Sequence, residues 1–383
     1  MSVSIWQTAH DHEASPHQVE VAIIGAGIIG AYLAVRLRQT GTQVLVLDSG
    51  HPASGASGRN GGLLLTGVAH SYWSAAQLYG RAATRELWAL TVENREAMIG
   101  WATRLGTPVR RCGSYLLACT RPQSEEIRRS AAMMQQDDLP VEWHEQDPLG
   151  RGFGSAIGIP NDGAIQAALL TKALLEHSGA AVRELAEVYH LSSEADGVRI
   201  CARGGDVVAQ RVFLATNAWT PLLVPEFEGV VLPGRGQVIA TAPAPRLIDR
   251  SCYCDDGFEY FQQLPDGRIV LGGYRNLAIE QEITYADHTT PLIQDALVAF
   301  LQRHFPELAN HAIERRWSGT MAFTTDGLPL VGRLRRDDRI AFAVGFNGHG
   351  LGLGMMVVEA LLRELAGGDA SVFSARRLMA TAA

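Results

Sequence analysis

Residues Val19–Leu37 read VEVAIIGAGIIGAYLAVRL. The apolar run Val19–Gly25 predicts a buried parallel strand, and Ile28–Gln39 continues with helical period. Gly25-Ala26-Gly27-Ile28-Ile29-Gly30 sits at the junction and matches G-x-G-x-x-G. The first glycine makes a tight turn. The second lets backbone N–H groups approach a pyrophosphate, and the third lets the helix pack on the strand. The positive end of the helix dipole then faces the phosphates. Gln43–Asp48 (QVLVLD) predicts a second buried strand, which completes a β-α-β unit. It ends on Asp48 and Ser49. A carboxylate there accepts hydrogen bonds from an adenosine ribose and repels a 2′-phosphate. The fingerprint suits NAD and FAD alike.

Outward from this unit, His51–Gly62 (HPASGASGRNGG) is a polar, flexible loop. It supplies Arg59 and a row of backbone amides for a second phosphate and a flat ring. Helices are predicted at Arg81–Leu105, Gln123–Gln136, Ala164–His177 and Pro291–Phe305. A strand is predicted at Ala181–Val188. The short runs GVRICAR, GDVVAQ and RVFLAT read as a meander that returns to a buried strand at Val212–Thr216. Phe258–Tyr274 (FEYFQQLPDGRIVLGGY) is a hairpin about Pro265–Gly267, because Pro-Asp-Gly presets a turn. The chain closes on strand, glycine loop and helix (RIAFAVGFNGHGLGLGMMVVEALLREL). An α/β pattern at both ends with an antiparallel-rich middle predicts two interleaved domains.

Composition narrows the function classes. The chain has 383 residues, 47% hydrophobic and 19% charged, with a net charge of −7. That is ample for a core and carries no basic footprint for nucleic acid. Five cysteines, an odd number without a CxxC, suit a reducing compartment. Cys252 and Cys254 have no His pair beside them to complete a metal site. The first residues lack the basic and apolar regions of a signal peptide. No run of 18 apolar residues predicts a membrane span. The expected location is the cytoplasm. His10, His12 and His17 fall in a polar leader expected over 1–18.

Several ordered motifs then resemble the D-amino-acid oxidase-like superfamily of FAD-dependent oxidoreductases. They are GAGIIG, GASGRNGG, VFLATNAWT (Val212–Thr220), WSGTMAFTTDGLPLVG (Trp317–Gly332) and GFNGHGLGLG (Gly345–Gly354). The second is closest in spelling to the γ-glutamylputrescine oxidoreductase branch. The resemblance implies an α/β (α+β overall) architecture. A Rossmann-like FAD domain of the glutathione-reductase type would comprise 19–80, 156–220 and 326–383. An interleaved antiparallel-sheet substrate domain would comprise 81–155 and 221–325. Gly25, Gly27, Ile28, Ile29, Gly30, Asp48 and Ser49 would hold the ADP part. Ser57, Arg59, Asn60, Gly61 and Gly62 would line the second loop. Val188 would meet the adenine, Thr216, Asn217 and Trp219 the pyrophosphate region, and Gly319 the covalent-attachment position, which lacks a cysteine. FAD is therefore expected to be non-covalent. Gly348, His349, Gly350 and Leu351 would meet the pyrimidine end, where a helix N-terminus stabilises negative charge on a reduced ring. His349 either adds to this or is a packed loop histidine.

The resemblance also implies the reaction. A hydride leaves the carbon next to an amine for flavin N5, and the imine hydrolyses. Oxygen or an electron carrier takes the electrons. Tyr260, Met321 and His349 are the expected catalytic positions. Glycine oxidase-like members have a carboxylate-binding arginine where this chain has Met321, which favours an amine substrate unless Arg235, Arg315 or Arg316 substitutes. Sarcosine oxidase-like members have a lysine where this chain places Leu271. Tyr260 and Glu259 alternate across the hairpin, so either can meet the ligand, and Glu259 would suit a polyamine. Trp73, Tyr72 and Trp317 are candidate pocket walls. Two other readings remain. One is a flavin-bearing subunit of a heteromeric amino-acid or opine dehydrogenase. The other is an NAD-dependent dehydrogenase. An oligomer is compatible with either.

Overall fold

The computed structural model describes residues 18–379. The leader histidines lie outside them, and Gln18, expected in the leader, already belongs to the first strand. β1 (Gln18–Ile24), α1 (Ile28–Gln39) and β2 (Val44–Leu47) follow the predicted unit. All four β2 residues are buried, as a strand covered on both faces requires. On one side β1 pairs in parallel with β2, and β2 with Ala181–Arg183. On the other, β1 pairs in parallel with Val207–Leu214. The second half of Val207–Leu214 pairs in parallel with the C-terminal strand Asp337–Val344, and its first half with an antiparallel hairpin, Val188–Glu194 and Gly197–Ala202. Leu330–Leu334 completes this eight-stranded sheet.

A second eight-stranded sheet is almost wholly antiparallel. Its centre is the hairpin Glu259–Gln263 (the tyrosine strand) and Ile269–Gly273. Ile269–Gly273 pairs with Val231–Thr241, which pairs in turn with Ile313–Thr324 (the methionine strand) at the edge. Helix Pro291–His304 covers one face, burying Ile293, Leu297, Phe300 and Leu301 against Phe261 and Leu271. The other face carries Val238, Val270, Tyr260 and Trp317 and looks toward the first sheet's glycine loop.

Five expectations change. Ala164 and Ile165 are strand, not helix, because Gly163–Ile165 pairs with both Leu63–Leu64 and Val109–Arg110. The helix starts at Ala167. GDVVAQ and RVFLAT are one continuous strand. The predicted strand Ala181–Val188 stops at Arg183, and Leu185 turns at a φ of 53° to bond back to Gly50. Ala156–Ile159, expected in the FAD domain, pairs with Ser114–Leu117 in the second sheet. The helix Arg81–Arg104 (the long helix), expected in the substrate domain, packs on the C-terminal helix Gly350–Leu365 (the closing helix).

Candidate active site

A cavity of about 990 Å³ runs between the two sheets. Of the predicted cofactor and catalytic residues, all but Gly30 line it. Gly30 lies behind the wall: a Cβ there would stand 1.9 Å from the Gly25 carbonyl oxygen. No side chain fits, so helix and strand touch backbone to backbone. Gly25 has a φ of 112°, and a Cβ on it would meet Ala215 O at 2.5 Å. Its neighbour in the turn, Ala26, donates its N–H to Asp48 Oδ2 at 2.6 Å. Asp48 Oδ1 accepts from Gly50 N at 2.8 Å. The acid expected to face a ribose thus also ties β2 to the glycine turn. A carboxylate offers about four acceptor directions, so both roles are compatible. Ser57 Oγ accepts from Ile28 N at 2.9 Å, capping α1 from the second loop.

That loop is built largely for itself. Asn60 donates to Ala56 O and Ser57 O and accepts from Gly62 N. Arg59, expected over a phosphate, is occupied elsewhere. Its guanidinium contacts Asp287 at 2.7 Å and Ser318 O at 3.0 Å, and its Nε contacts Ser54 O. Trp317 Nε1 donates back to Arg59 O at 2.9 Å. Arg59 therefore ties the loop to the methionine strand, with its stem packed against Gly319. Gly61 and Gly62 let the loop approach the tyrosine strand. A Cβ at Gly61 would meet the Tyr260 ring at 2.9 Å, and one at Gly62 would meet Ile165 O at 2.7 Å. Across the cavity, Val188, Thr216 and Asn217 border one end beside Trp219, which is partly exposed. Asn217 sits at a φ of 48°, and its Oδ1 accepts from Gly345 N at 3.3 Å.

The closing helix begins at Gly350, and its first turn borders the cavity. His349 is half-buried there. Its Nδ1 lies 3.0 Å from Asn347 O and its Nε2 3.3 Å from the Tyr253 hydroxyl. Burial holds its pKa below the ordinary imidazole value. The ring is therefore neutral at pH 7, donating from Nδ1 and accepting at Nε2. It supplies a dipole to the site and no charge.

Tyr260 faces the cavity, where burial raises its pKa to about 12. A Cβ at Gly272 would enter its ring at 2.4 Å, and Tyr260 Oη lies 3.8 Å from where a Gly236 Cβ would stand. Met321 reaches the same region, its Sδ facing Gly348. Glu259 points the opposite way. It is 3% exposed, Oε1 has no hydrogen-bond partner, and desolvation lifts its pKa to about 8. It does not meet a ligand in this cavity, so the polyamine expectation loses its acid. Leu271 is likewise in the core against Phe261, whereas Val270 shares the cavity-side cluster with Tyr260. The chain's only lysine, Lys172, is on helix Ala167–Ser178. The proposed substitutes for the missing arginine also lie elsewhere. Arg235 is buried in an ion pair with Glu282, Arg316 bonds Gln294, and neither they nor Arg315 border the cavity. Tyr72 packs edge-on to Trp88, and Trp73 lies under Arg129. Among the described residues no cluster suits a metal ion, including Cys252 and Cys254. No helix there is long and apolar enough to cross a membrane.

Sequence reasoning missed Tyr253, Arg275, Phe258 and Phe323, which all border the cavity. Tyr253 and Phe323 stand one residue inside a strand end and Phe258 and Arg275 one or two residues outside one, where alternation gives little signal. The donor set fits FAD: a glycine turn at one end, the start of a long helix at the other, and a glycine-paved floor that admits a flat ring.

Comparison with known proteins agrees with this geometry. The chain is 26% identical to glycine oxidase of Geobacillus kaustophilus over 381 residues, covering 94% of this chain and 97% of that protein. It is also 26% identical to γ-glutamylputrescine oxidoreductase of Escherichia coli, covering 93% and 85%. The crystal structure of the Geobacillus glycine oxidase superposes with a TM-score of 0.78 at 22% identity, over 93% of this chain and 96% of that one. L-proline dehydrogenase from P. horikoshii superposes with a TM-score of 0.76 at 22% identity, over 93% and 95%. Residues 20–362 match the family described as DAO, FAD dependent oxidoreductase, and the chain belongs to that family.

Proposed function

We propose that this enzyme oxidises the carbon next to an amine, in a primary or secondary amine or an amino-acid derivative. The observation that carries the reading is the single cavity joining the glycine turn to the face of Tyr260, Met321 and His349. When bound, FAD supplies the acceptor for the hydride, which carries both electrons of that oxidation. Gly25, Gly27, Ile28 and Ile29 would receive the diphosphate, with Asp48 and Ser49 at the ribose and Val188 at the adenine. Gly348, Gly350 and Leu351 would meet the pyrimidine end of the ring. Tyr260 and Met321 would confine the substrate over it and exclude water. His349 is neutral, with Tyr253 on its Nε2, so it adds no charge; the neutral amine would be favoured by desolvation in the cavity, which disfavours the ammonium form. The first sheet would form the FAD domain and the second the substrate domain. Oxygen or an electron carrier would take the electrons onward.

The test is direct. Purified protein should be yellow, with bands near about 370 and 450 nm. Anaerobic addition of amines or amino acids from a panel should bleach the longer band. A colourless protein that binds NADH would end the FAD assignment. A second reading, a flavin-bearing subunit, is favoured by one observation: Leu277, Ile279, Ile283 and Leu292 are exposed along one segment. Bleaching that requires an added partner chain would select it.

A further inference from the structure

We propose that Arg275 is the carboxylate anchor of this site, so that the substrate is an amine bearing an anionic group. The inference rests on the reading above and narrows its substrate class. Four cationic or imidazole side chains border the cavity: Arg59, His70, Arg275 and His349. Arg59 is held by Asp287 and two carbonyl oxygens. His349 is neutral for the reason given, and His70 is exposed, set edge-on against Tyr79. Arg275 alone among them is a permanent cation with no hydrogen bond or ion pair to any described residue.

Its setting holds it for a ligand. It follows Ile269–Gly273, just past Tyr274, which turns the chain at a φ of 60°. The guanidinium lies between two rings, 5.3 Å from the centre of Phe258 and 4.3 Å from that of Phe323. Ring faces attract the plane of the cation but satisfy none of its five N–H donors. Those donors form a rigid fork that matches a carboxylate in two parallel bonds. The Tyr253 and Tyr260 hydroxyls are near enough to interact with it electrostatically. Glu282 also acts on Arg275, but its oxygens are taken by Arg235 at 2.7 and 2.9 Å and by Gln237 at 3.0 Å. Asp256 borders the same cavity at an exposed position and makes no ion pair with Arg275. A partly desolvated guanidinium without a partner is unfavourable, and an incoming carboxylate removes that cost.

Phe323 stands two residues beyond Met321 on the methionine strand and borders the same cavity. The anionic group would therefore be received beside Met321 by a residue from a different strand end. The apolar expectation drawn from Met321 applies to one wall only.

The test uses the flavin-loaded protein and two probes of one shape, propanoate and propanamide. Each is titrated into wild type, Arg275→Met and Arg275→Lys. Binding is read by the flavin difference spectrum and, independently, by calorimetry. Arg275→Met should weaken propanoate by about 10- to 100-fold, the range for a charged hydrogen-bonded pair, and leave propanamide and FAD affinity unchanged. Arg275→Lys should recover part of the loss. A flavoprotein whose propanoate affinity ignores Arg275→Met, or loses both probes equally, overturns the anchor and leaves the amine-oxidation reading standing. Arg275-dependent propanoate binding in a chain that holds no flavin does the reverse.

Discussion

Glu259 and Tyr260 are neighbours in sequence and face opposite environments. Burial keeps Glu259 protonated up to about 8, whereas in the unfolded chain it ionises near ~4.3. Below the lower value both states carry the proton, and the folded state is at no disadvantage. Between the two values only the unfolded chain has released it, so stability falls as pH rises through this window. Above about 8 the loss is complete. Glu259→Gln is neutral throughout and should remove that slope. Its melting temperature relative to wild type should climb from pH 5 to pH 8.5, and a constant difference across those buffers would contradict the assignment. Alternation told from the sequence that these two side chains diverge. It could not tell which faces the cavity, because a period of two fixes relative and not absolute orientation. The glycines were legible for the opposite reason: each answers a demand of the backbone, as the 1.9 Å approach at Gly30 makes plain. Arg275 was not, since its meaning comes from Phe258 and Phe323, which only the fold brings to it.

Elements with a strong local pattern read well, the short strand β2 included, and Gly163–Ile165, whose pattern is weak, did not. α1 and Arg81–Arg104 were visible within a residue of their ends, while Gly163–Ile165 was lost because its pairing partners are distant in sequence. One feature of the helices could not be seen at all. Asn94, fully buried on the long helix, donates Nδ2–H to Leu351 O at 2.7 Å and accepts from Met355 N at 2.8 Å. Its amide stands between two groups that an unbroken α-helix would pair with each other. It thereby joins the long helix to the start of the closing helix, whose first turn borders the cavity. Asn94→Ala should lower stability by about 1–3 kcal/mol, the cost of stranding buried polar groups, and should also weaken FAD. Urea unfolding and flavin titration measure the two effects. Lost stability with unaltered FAD affinity would show that the link does not influence the site.

At the scale of the molecule, the two sheets were foreseen and their membership was not. Ala156–Ile159 crosses to the second sheet, and the long helix backs the first. Between the sheets Arg59 is a tie with both ends near solvent, its own side chain 36% exposed and Asp287 60%. Such a pair contributes about 0–1 kcal/mol to folding. Arg59→Ala should hardly change the melting temperature of the protein without flavin, yet should speed FAD release several-fold in a stopped-flow chase. An unchanged release rate would mean that the loop holds its place without the tie. The order of the first sheet has a further consequence. β1 and β2 leave the ribosome early, their neighbour Val207–Leu214 follows far later, and Asp337–Val344 with the closing helix later still. On the proposed site, no nascent fragment lacking the segment from Asp337 through the closing helix presents a complete berth for the dinucleotide. Cofactor capture would then await that segment, and a chain stalled or clipped before it would be left with half a cradle and an unprotected sheet edge.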